Sequence, residues 1–249
     1  TIISTPDIEI NLKDTFGCQV FNLGFKNSTS NADFYSWDFG DNNTSGLLNP
    51  IHAYRESGSY NGSLIASNNF GCTDSATFLV NVFPKANSEF IANSTQSCQV
   101  PDTVRLTNNS QGAISYFWDF GNGEESREYE PEVVYYSEGD YEIRLISKSQ
   151  YNCSDTIYFN YKNYKMPEAD FTFEPISLCE PNFLFTSKSL DSEIVHWSFG
   201  DGKSSTLENP EHLYDVYGSS NVSLIVKNEN CSDSITKTVE HNYGNPVNI

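Results

Sequence analysis

One tryptophan-centred hexapeptide occurs three times in this chain: WDFGDN at Trp37–Asn42, WDFGNG at Trp118–Gly123 and WSFGDG at Trp197–Gly202. The copies lie roughly 80 residues apart, a period that divides the chain before any single motif is interpreted. Other positions keep step with it. A tyrosine stands 17 residues after each tryptophan (Tyr54, Tyr135, Tyr214), and a glycine four residues further on (Gly58, Gly139, Gly218). A proline precedes each tyrosine: Pro50, Pro131 or Pro210. The 249 residues therefore read as three units, 1–83, 84–165 and 166–249, each near the lower end of domain size.

Within a unit the pattern is that of strands. Tyr35, Trp37 and Phe39 alternate onto one face, as do Tyr116, Trp118 and Phe120, and Val195, Trp197 and Phe199. Gly40, Gly121 and Gly200 then end the strand, and Asp-Asn, Asn-Gly or Asp-Gly supplies residues that tolerate positive φ in a tight turn. Upstream, Leu23 and Phe25, Val104 and Leu106, and Phe183 and Phe185 each share a face. Downstream, Tyr60, Gly62, Leu64 and Ala66 alternate, with equivalents Tyr141, Ile143, Leu145 and Ser147, and Val222, Leu224 and Val226. A last strand, such as Phe78–Val82, closes the unit. About seven short strands per unit, with no convincing helical periodicity, predict an all-β chain of three tandem sandwiches, each around a buried Trp. In this reading Trp37, Phe39, Tyr54 and their counterparts are core, and the glycines are backbone geometry.

Six cysteines fall two to a unit: Cys18 and Cys72, Cys98 and Cys153, Cys179 and Cys231, with separations of 54, 55 and 52 residues. Six cysteines allow about 15 pairings, but only pairing within a unit gives every unit the same bridge. Three intradomain disulfides are therefore expected, each worth about 4 kcal/mol by chain-entropy reasoning, in an oxidising, extracellular setting. Two thiols without CxxC spacing make a poor zinc site. The formal charge of −19 excludes a nucleic-acid partner, for want of a basic stripe, and disfavours anionic lipid. No apolar run is long enough to cross a membrane, so direct insertion is not expected. The chain opens TIISTPDIEI without Met and reads as a fragment, so the lack of a visible signal peptide carries little weight.

WDFGDN, the box Asn49–Tyr54 and Gly58-Ser59-Tyr60 before an alternating strand together resemble the PKD (polycystic kidney disease) domain. The resemblance covers all three units; the departures include Ser198 for Asp38 and Asn122 for Asp41. It implies immunoglobulin-like sandwiches serving as spacer or interaction modules without catalysis of their own. The added cysteine pattern resembles the variant found in secreted and cell-surface proteins of Bacteroidetes, many of them type IX secretion cargo or gliding-motility-associated proteins. Neighbouring domains of one long polypeptide are then the expected partners, with other surface proteins or polysaccharide as further candidates.

Sharper chemistry is weighed against this. The DFG tripeptide also serves protein kinases, but the glycine-rich loop, strand lysine and HRD-type loop are missing, and the third copy lacks the Asp. An acid/base pair at Asp38 and Asp41 fails because Ser198 and Asn122 take the equivalent places. His52 and His212 are equivalent, but Val133 replaces them in the middle unit, so a satisfied, partly exposed histidine beside the tyrosine box is the better reading. No catalytic, cofactor-binding or metal residues are assigned. A structural calcium near a linker stays open, since Asp and Asn suit a hard cation but no EF-hand spacing occurs. A repeated Asp-Ser/Thr-Ala/Ile pattern marks Ser75, Thr156 and Ser234, with Thr103 in a related Asp-Thr-Val. It resembles the O-glycosylation acceptor pattern of Bacteroidetes surface proteins, or else Asp and Ser/Thr cap a turn after the disulfide. The functional expectation is a non-catalytic spacer, stalk or interaction array of a large surface or secreted protein. The alternative is a polysaccharide- or protein-binding accessory of a secreted hydrolase, with Tyr158, Phe159, Tyr161 and Tyr164 as candidate aromatics.

Overall fold

A computed structural model describes residues 4–177 and 179–241; the end of the third expected unit, beyond residue 241, lies outside them. The described residues form 24 strands and no helix, so none is long and apolar enough to cross a membrane. All three repeats are immunoglobulin-like β-sandwiches. The chain divides into two compact units, one of residues 1–92, 105–131 and 142–159, the other of residues 93–104, 132–141 and 160–249.

In the first unit, repeat one builds a five-stranded sheet in the order Phe16–Cys18, Thr73–Phe83, Gly58–Ser67, Phe34–Asp38, Thr44–Ser45. The facing layer pairs Phe21–Gly24 with Ile51–Tyr54. Alternation decides what fills the space between: Trp37 and Phe39 from one sheet meet Leu23, Phe25 and Tyr54 from the other, with Leu64, Val80 and Val82 completing the core. The same unit contains part of repeat two, with Phe90–Ala92 against the end of Asp102–Asn108 and Ser115–Asp119 against Glu125–Ser126 and the later half of Gly139–Lys148. In the second unit, repeat three places Phe171–Pro175, Asn182–Ser187 and Glu211–Leu213 in one sheet and Ser204–Ser205, Ile194–Ser198, Ser219–Lys227 and Ser232–Glu240 in the other. Its core of Phe171, Phe183, Phe185, Trp197, Phe199 and Tyr214 repeats the arrangement of repeat one.

The repeated hexapeptide has one geometry throughout. Each tryptophan is fully buried, and its indole Nε1 donates to a carbonyl ten residues on: Leu47, Glu128 or Leu207, all at 2.9 Å. Gly40, Gly121 and Gly200 have φ of +81°, +74° and +81°, and an added Cβ would sit 2.5, 2.8 and 2.7 Å from the carbonyl oxygens of Asn61, Glu142 and Asn221. Glycine is required there twice over, by the left-handed backbone and by the close approach of a neighbouring strand.

The expected pairing of cysteines is overturned. Neither Cys18–Cys72, Cys98–Cys153 nor Cys179–Cys231 forms. The bridges are Cys18–Cys153 and Cys98–Cys231, with Cα atoms 5.5 and 5.8 Å apart, and Cys72 and Cys179 are free. The reason is the length of the last strand. Cys18 lies opposite Phe83, at the end of Thr73–Phe83, because Phe16–Cys18 adds to that strand in parallel. Cys72 immediately precedes the other end of the same 11-residue strand. At about 3.3 Å per residue the two cysteines stand roughly 36 Å apart, against the 4–7 Å or so a disulfide tolerates. Repeat two follows the same plan, with Gln96–Ser97 parallel to Lys162–Asn163 and Cys153 preceding the start of that strand.

Candidate functional site

The cysteines at opposite ends of the first sandwich direct attention to the junctions between repeats. Each second cysteine closes a short turn that begins with a polar residue: Asn68, Ser149 or Asn228. That residue's backbone N–H donates to the cysteine carbonyl (Asn68 to Cys72, 3.1 Å; Ser149 to Cys153, 2.9 Å; Asn228 to Cys231, 3.0 Å). Its side chain also holds the chain arriving from the preceding segment: Asn68 Nδ2 donates to the carbonyl of Ser4 at 3.1 Å, Ser149 Oγ to that of Pro84 at 3.0 Å, and Asn228 Nδ2 to that of Lys165 at 2.9 Å. Gly71 and Asn152 take the positive φ the first two turns require, +83° and +63°.

The junction of repeats one and two is built around this turn. Tyr151, at the tip, stacks on Phe83, the last residue of the first repeat's closing strand, with ring centroids 4.4 Å apart and planes 8° from parallel. Ala86 is buried, and its N–H donates to the carbonyl of Cys153 at 3.3 Å. Asp155 accepts from Lys85 Nζ and from the N–H of Ser88, both at 2.9 Å. Burial pushes the Asp155 carboxyl up, but these hydrogen bonds outweigh it and hold its pKa below the ordinary value. The Cys18–Cys153 bridge ties the same two repeats a second time. At the start of repeat three, Asp233 accepts from the N–H of Ala169 at 2.8 Å, and Cys98 is bonded to Cys231.

This arrangement revises the reading of the Asp-Ser/Thr pattern. Asp155 and Asp233 fasten the linker, and the residues after each cysteine start the last strand rather than capping a turn. The hydroxyls of Ser75, Thr156 and Ser234 are exposed on that strand, and Thr103 is half-buried. The aromatic candidates do not form a platform. Tyr161 is core, stacked on Tyr135 at 4.8 Å and donating to Asp102 at 2.5 Å, and Phe159 packs on Phe90; Tyr158 alone of the four is exposed.

His52 and His212 are satisfied side chains. His52 Nε2 lies 2.7 Å from Asp41 and its ring stacks on Phe39 at 4.2 Å; His212 lies 2.9 Å from Asp201 and stacks on Phe199 at 3.9 Å. Burial raises the pKa of Asp41 and Asp201, but hydrogen bonds, from His52 and Asn43 and from Lys203 N–H and His212 respectively, carry both below the ordinary value. Tyr54 and Tyr214 close each nest by donating to the carbonyls of Phe39 and Phe199 at 3.1 and 3.2 Å. Burial pushes both phenols well up. Next to Asp41 and His52 opens a polar depression of about 650 Å³, lined also by Arg55, Glu56 and Tyr60. It holds no serine or cysteine within that lining to act as nucleophile. Among the described residues no group of three or more His, Cys, Asp or Glu is arranged to hold a metal ion.

The residues that build the junction were not singled out in the sequence. Asn68, Ser149 and Asn228 share a signal, a polar side chain three or four positions before the second cysteine. Phe83 and Tyr151 have no equivalent signal, because their pairing joins different repeats.

A family model described as the PKD domain matches residues 4–82, 81–161 and 165–243. Collagenase ColQ1 of Bacillus cereus (strain Q1) is 46% identical over 54 residues, 21% of this chain and 6% of the collagenase, so the chain spans a small part of that relative's length. Among solved structures, the PKD1 domain from Vibrio cholerae metalloprotease PrtV is 29% identical and covers 31% of this chain and 95% of its own, with a TM-score of 0.28. An I-band fragment, I67–I69, from titin covers 96% of this chain and 99% of its own at 11% identity and a TM-score of 0.40.

Proposed function

The chain belongs to the PKD domain family in three consecutive copies, and from that premise we propose that it is a non-catalytic extracellular spacer within a longer surface or secreted polypeptide. The observation that carries this reading is the covalent joining of successive repeats by Cys18–Cys153 and Cys98–Cys231. A bridge inside each sandwich would protect the sandwich; a bridge between sandwiches protects the junction, which matters when the distance or direction between flanking domains matters. Disulfides of this kind also need an oxidising compartment. The net charge of −19 keeps repeated β-domains soluble and opposes edge-to-edge pairing. Surface adhesins of the gliding-motility and type IX secretion kind are the setting we favour, with Ser75, Thr156 and Ser234 as outward-facing positions for O-linked glycan.

A second reading, an accessory region of a secreted hydrolase that engages protein or polysaccharide, is supported by the match to part of a collagenase. Binding of the purified, oxidised chain to fibrillar collagen and to a panel of soluble polysaccharides separates the two. A spacer gives no saturable binding. Saturable binding to either replaces the first reading by the second.

A further inference from the structure

Two cysteines take part in no bridge: Cys72 is half-buried and Cys179 exposed. The two observed bridges obey one rule, joining the first cysteine of a repeat to the second cysteine of the next. Cys72 is a second cysteine with no repeat before it in this sequence, and Cys179 a first cysteine with no repeat after it.

We propose that Cys72 and Cys179 are the open ends of a disulfide chain that continues into adjoining PKD repeats. Cys72 bonds to the first cysteine of a repeat docked before it, and Cys179 to the second cysteine of a repeat docked after it. This rests on reading the chain as part of a longer tandem array.

Sequence equivalence is not the whole case, because the turn at Cys72 is already built for a junction. Asn68 Oδ1 accepts from the N–H groups of Phe70 and Cys72, both at 3.0 Å, as Asn228 Oδ1 accepts from Asn230 and Cys231 at 3.1 and 2.8 Å in the bridged turn. Asn68 also grips Ser4, as Ser149 grips Pro84. Phe70 occupies the place of Tyr151, which stacks on the end of the preceding repeat, yet Phe70 is 73% exposed. An aromatic ring presented on a fixed turn beside a free thiol is what the occupied junction has, without its partner. The other end matches. Ser57 lines the cavity of about 280 Å³ at the first junction with Phe83, Pro84 and Tyr151. Its counterpart one residue before Gly218 is Tyr217, 60% exposed, with Val216 exposed beside it. The third repeat thus offers apolar surface where the first receives its neighbour.

Bridge formation removes two protons and two electrons from a pair of thiols, and a disulfide oxidant takes them up and is reduced to two thiols; oxidised glutathione serves in the test. One polypeptide is made in which the chain is followed by a second copy of itself, through a linker as long as that between the first two repeats. After refolding in a glutathione redox buffer, free thiols are alkylated and the bridges mapped by non-reducing mass spectrometry. The expected result is a cross-peptide joining Cys179 of the first copy to Cys72 of the second, with Cys72 of the first and Cys179 of the second alkylated. Alkylation of all four, or bonding of either junction thiol to another cysteine, overturns the inference. If Cys18–Cys153 and Cys98–Cys231 form in both copies while the new bridge does not, the array reading survives and this inference alone fails. If those bridges also fail to form, both fail. Single chains oxidised at high concentration give a second readout: linear multimers through Cys179–Cys72 that Cys72→Ser abolishes. Symmetrical Cys72–Cys72 or Cys179–Cys179 multimers of the unsubstituted chain overturn the inference.

Discussion

Pulling on the chain at residues 18 and 231 with a force sufficient to unfold the sandwiches measures its covalent path. In the reduced chain that path is 213 residues. In the oxidised chain it crosses from Cys18 to Cys153, runs back 55 residues to Cys98, and crosses to Cys231. At roughly 3.5 Å per extended residue, reduction lengthens the limiting extension from about 190 Å to about 750 Å. That change alone does not distinguish the two ways of pairing. Bridges within each repeat would leave 52 residues, or about 180 Å. Substitution of Cys72 separates them. With the bridges of this structure, Cys72→Ser leaves the oxidised extension unchanged, because Cys72 is in neither bridge. With bridges inside repeats it would free the first of them and raise the path to 106 residues, about 370 Å. Cys153→Ser should instead lengthen the oxidised path to 80 residues, about 280 Å. Single-molecule force–extension curves with handles attached just outside these two cysteines, which keep their thiols for bonding, resolve steps of this size. An oxidised Cys72→Ser chain that extends about 190 Å further than the parent refutes the pairing and the junction argument built on it.

Gly40→Ala must hold a side chain at φ +81° within 2.5 Å of the Asn61 carbonyl, so a loss of at least about 1–3 kcal/mol in denaturant unfolding is expected. Gly71→Ala, at φ +83° with open space around it, should lose less. Tyr214→Phe removes the bond to the Phe199 carbonyl and should cost about 1 kcal/mol in the same assay, with the native fold retained by circular dichroism. Asp41, Asp155 and Asp201 have folded pKa values below 3.8, so the stability they contribute is present above that unfolded value and lost as pH falls through the folded ones. Melting temperature should therefore fall below about pH 4, and less steeply in Asp41→Asn, which places in repeat one the residue type that Asn122 supplies in repeat two. Millimolar calcium and excess chelator should give the same melting temperature; a clear separation would favour a structural calcium.

The sandwich cores were legible because their signals are local. Trp37, Phe39, Leu64 and Ala66 declare their face by period-two alternation, and Gly40 marks a turn within six residues of the tryptophan it follows. The same economy misled at the cysteines. Nearly equal separations of Cys18–Cys72 and Cys98–Cys153 read as like loops closed within each repeat, yet the separations match because the repeats do. What decided the pairing was that Thr73–Phe83 runs unbroken for 11 residues, and that Phe16–Cys18 joins its far end in parallel. The strand was recognised only from Phe78, since Thr73, Asp74 and Ser75 look like a turn. A parallel edge strand of three residues leaves no periodic trace at all. That His52 and His212 are satisfied side chains was legible from the substitution of Val133, because repeats of one chain serve as controls for each other; that His212 is buried and not partly exposed was not.

Where a disulfide is placed decides what it stabilises. Lengthening the closed segment from 54 to 135 residues adds only about 0.8 kcal/mol in the chain-entropy argument, so unfolding stability gives little reason to bridge repeats instead of closing each one. The difference lies at the junction. One aromatic stack joins Phe83 to Tyr151 of the next repeat, and one partly exposed ion pair and a few hydrogen bonds hold the linker residues Lys85, Ala86 and Ser88 to that repeat's turn and closing strand. Contacts of that kind, each worth about 1 kcal/mol, leave domains free to separate on a single linker. A second covalent tether holds the opened surfaces at an effective concentration on the order of millimolar or more, so that the same weak contacts re-form each time they break. Reduction should therefore loosen the junction before it unfolds either sandwich. Hydrogen exchange reads this directly: the N–H groups of Ala86 and Ser88, bonded to Cys153 and Asp155, should lose protection in the reduced chain, while the N–H of Leu64 in the core strand should not. Equal loss at all three positions would mean that the bridge supports the sandwich and not the junction.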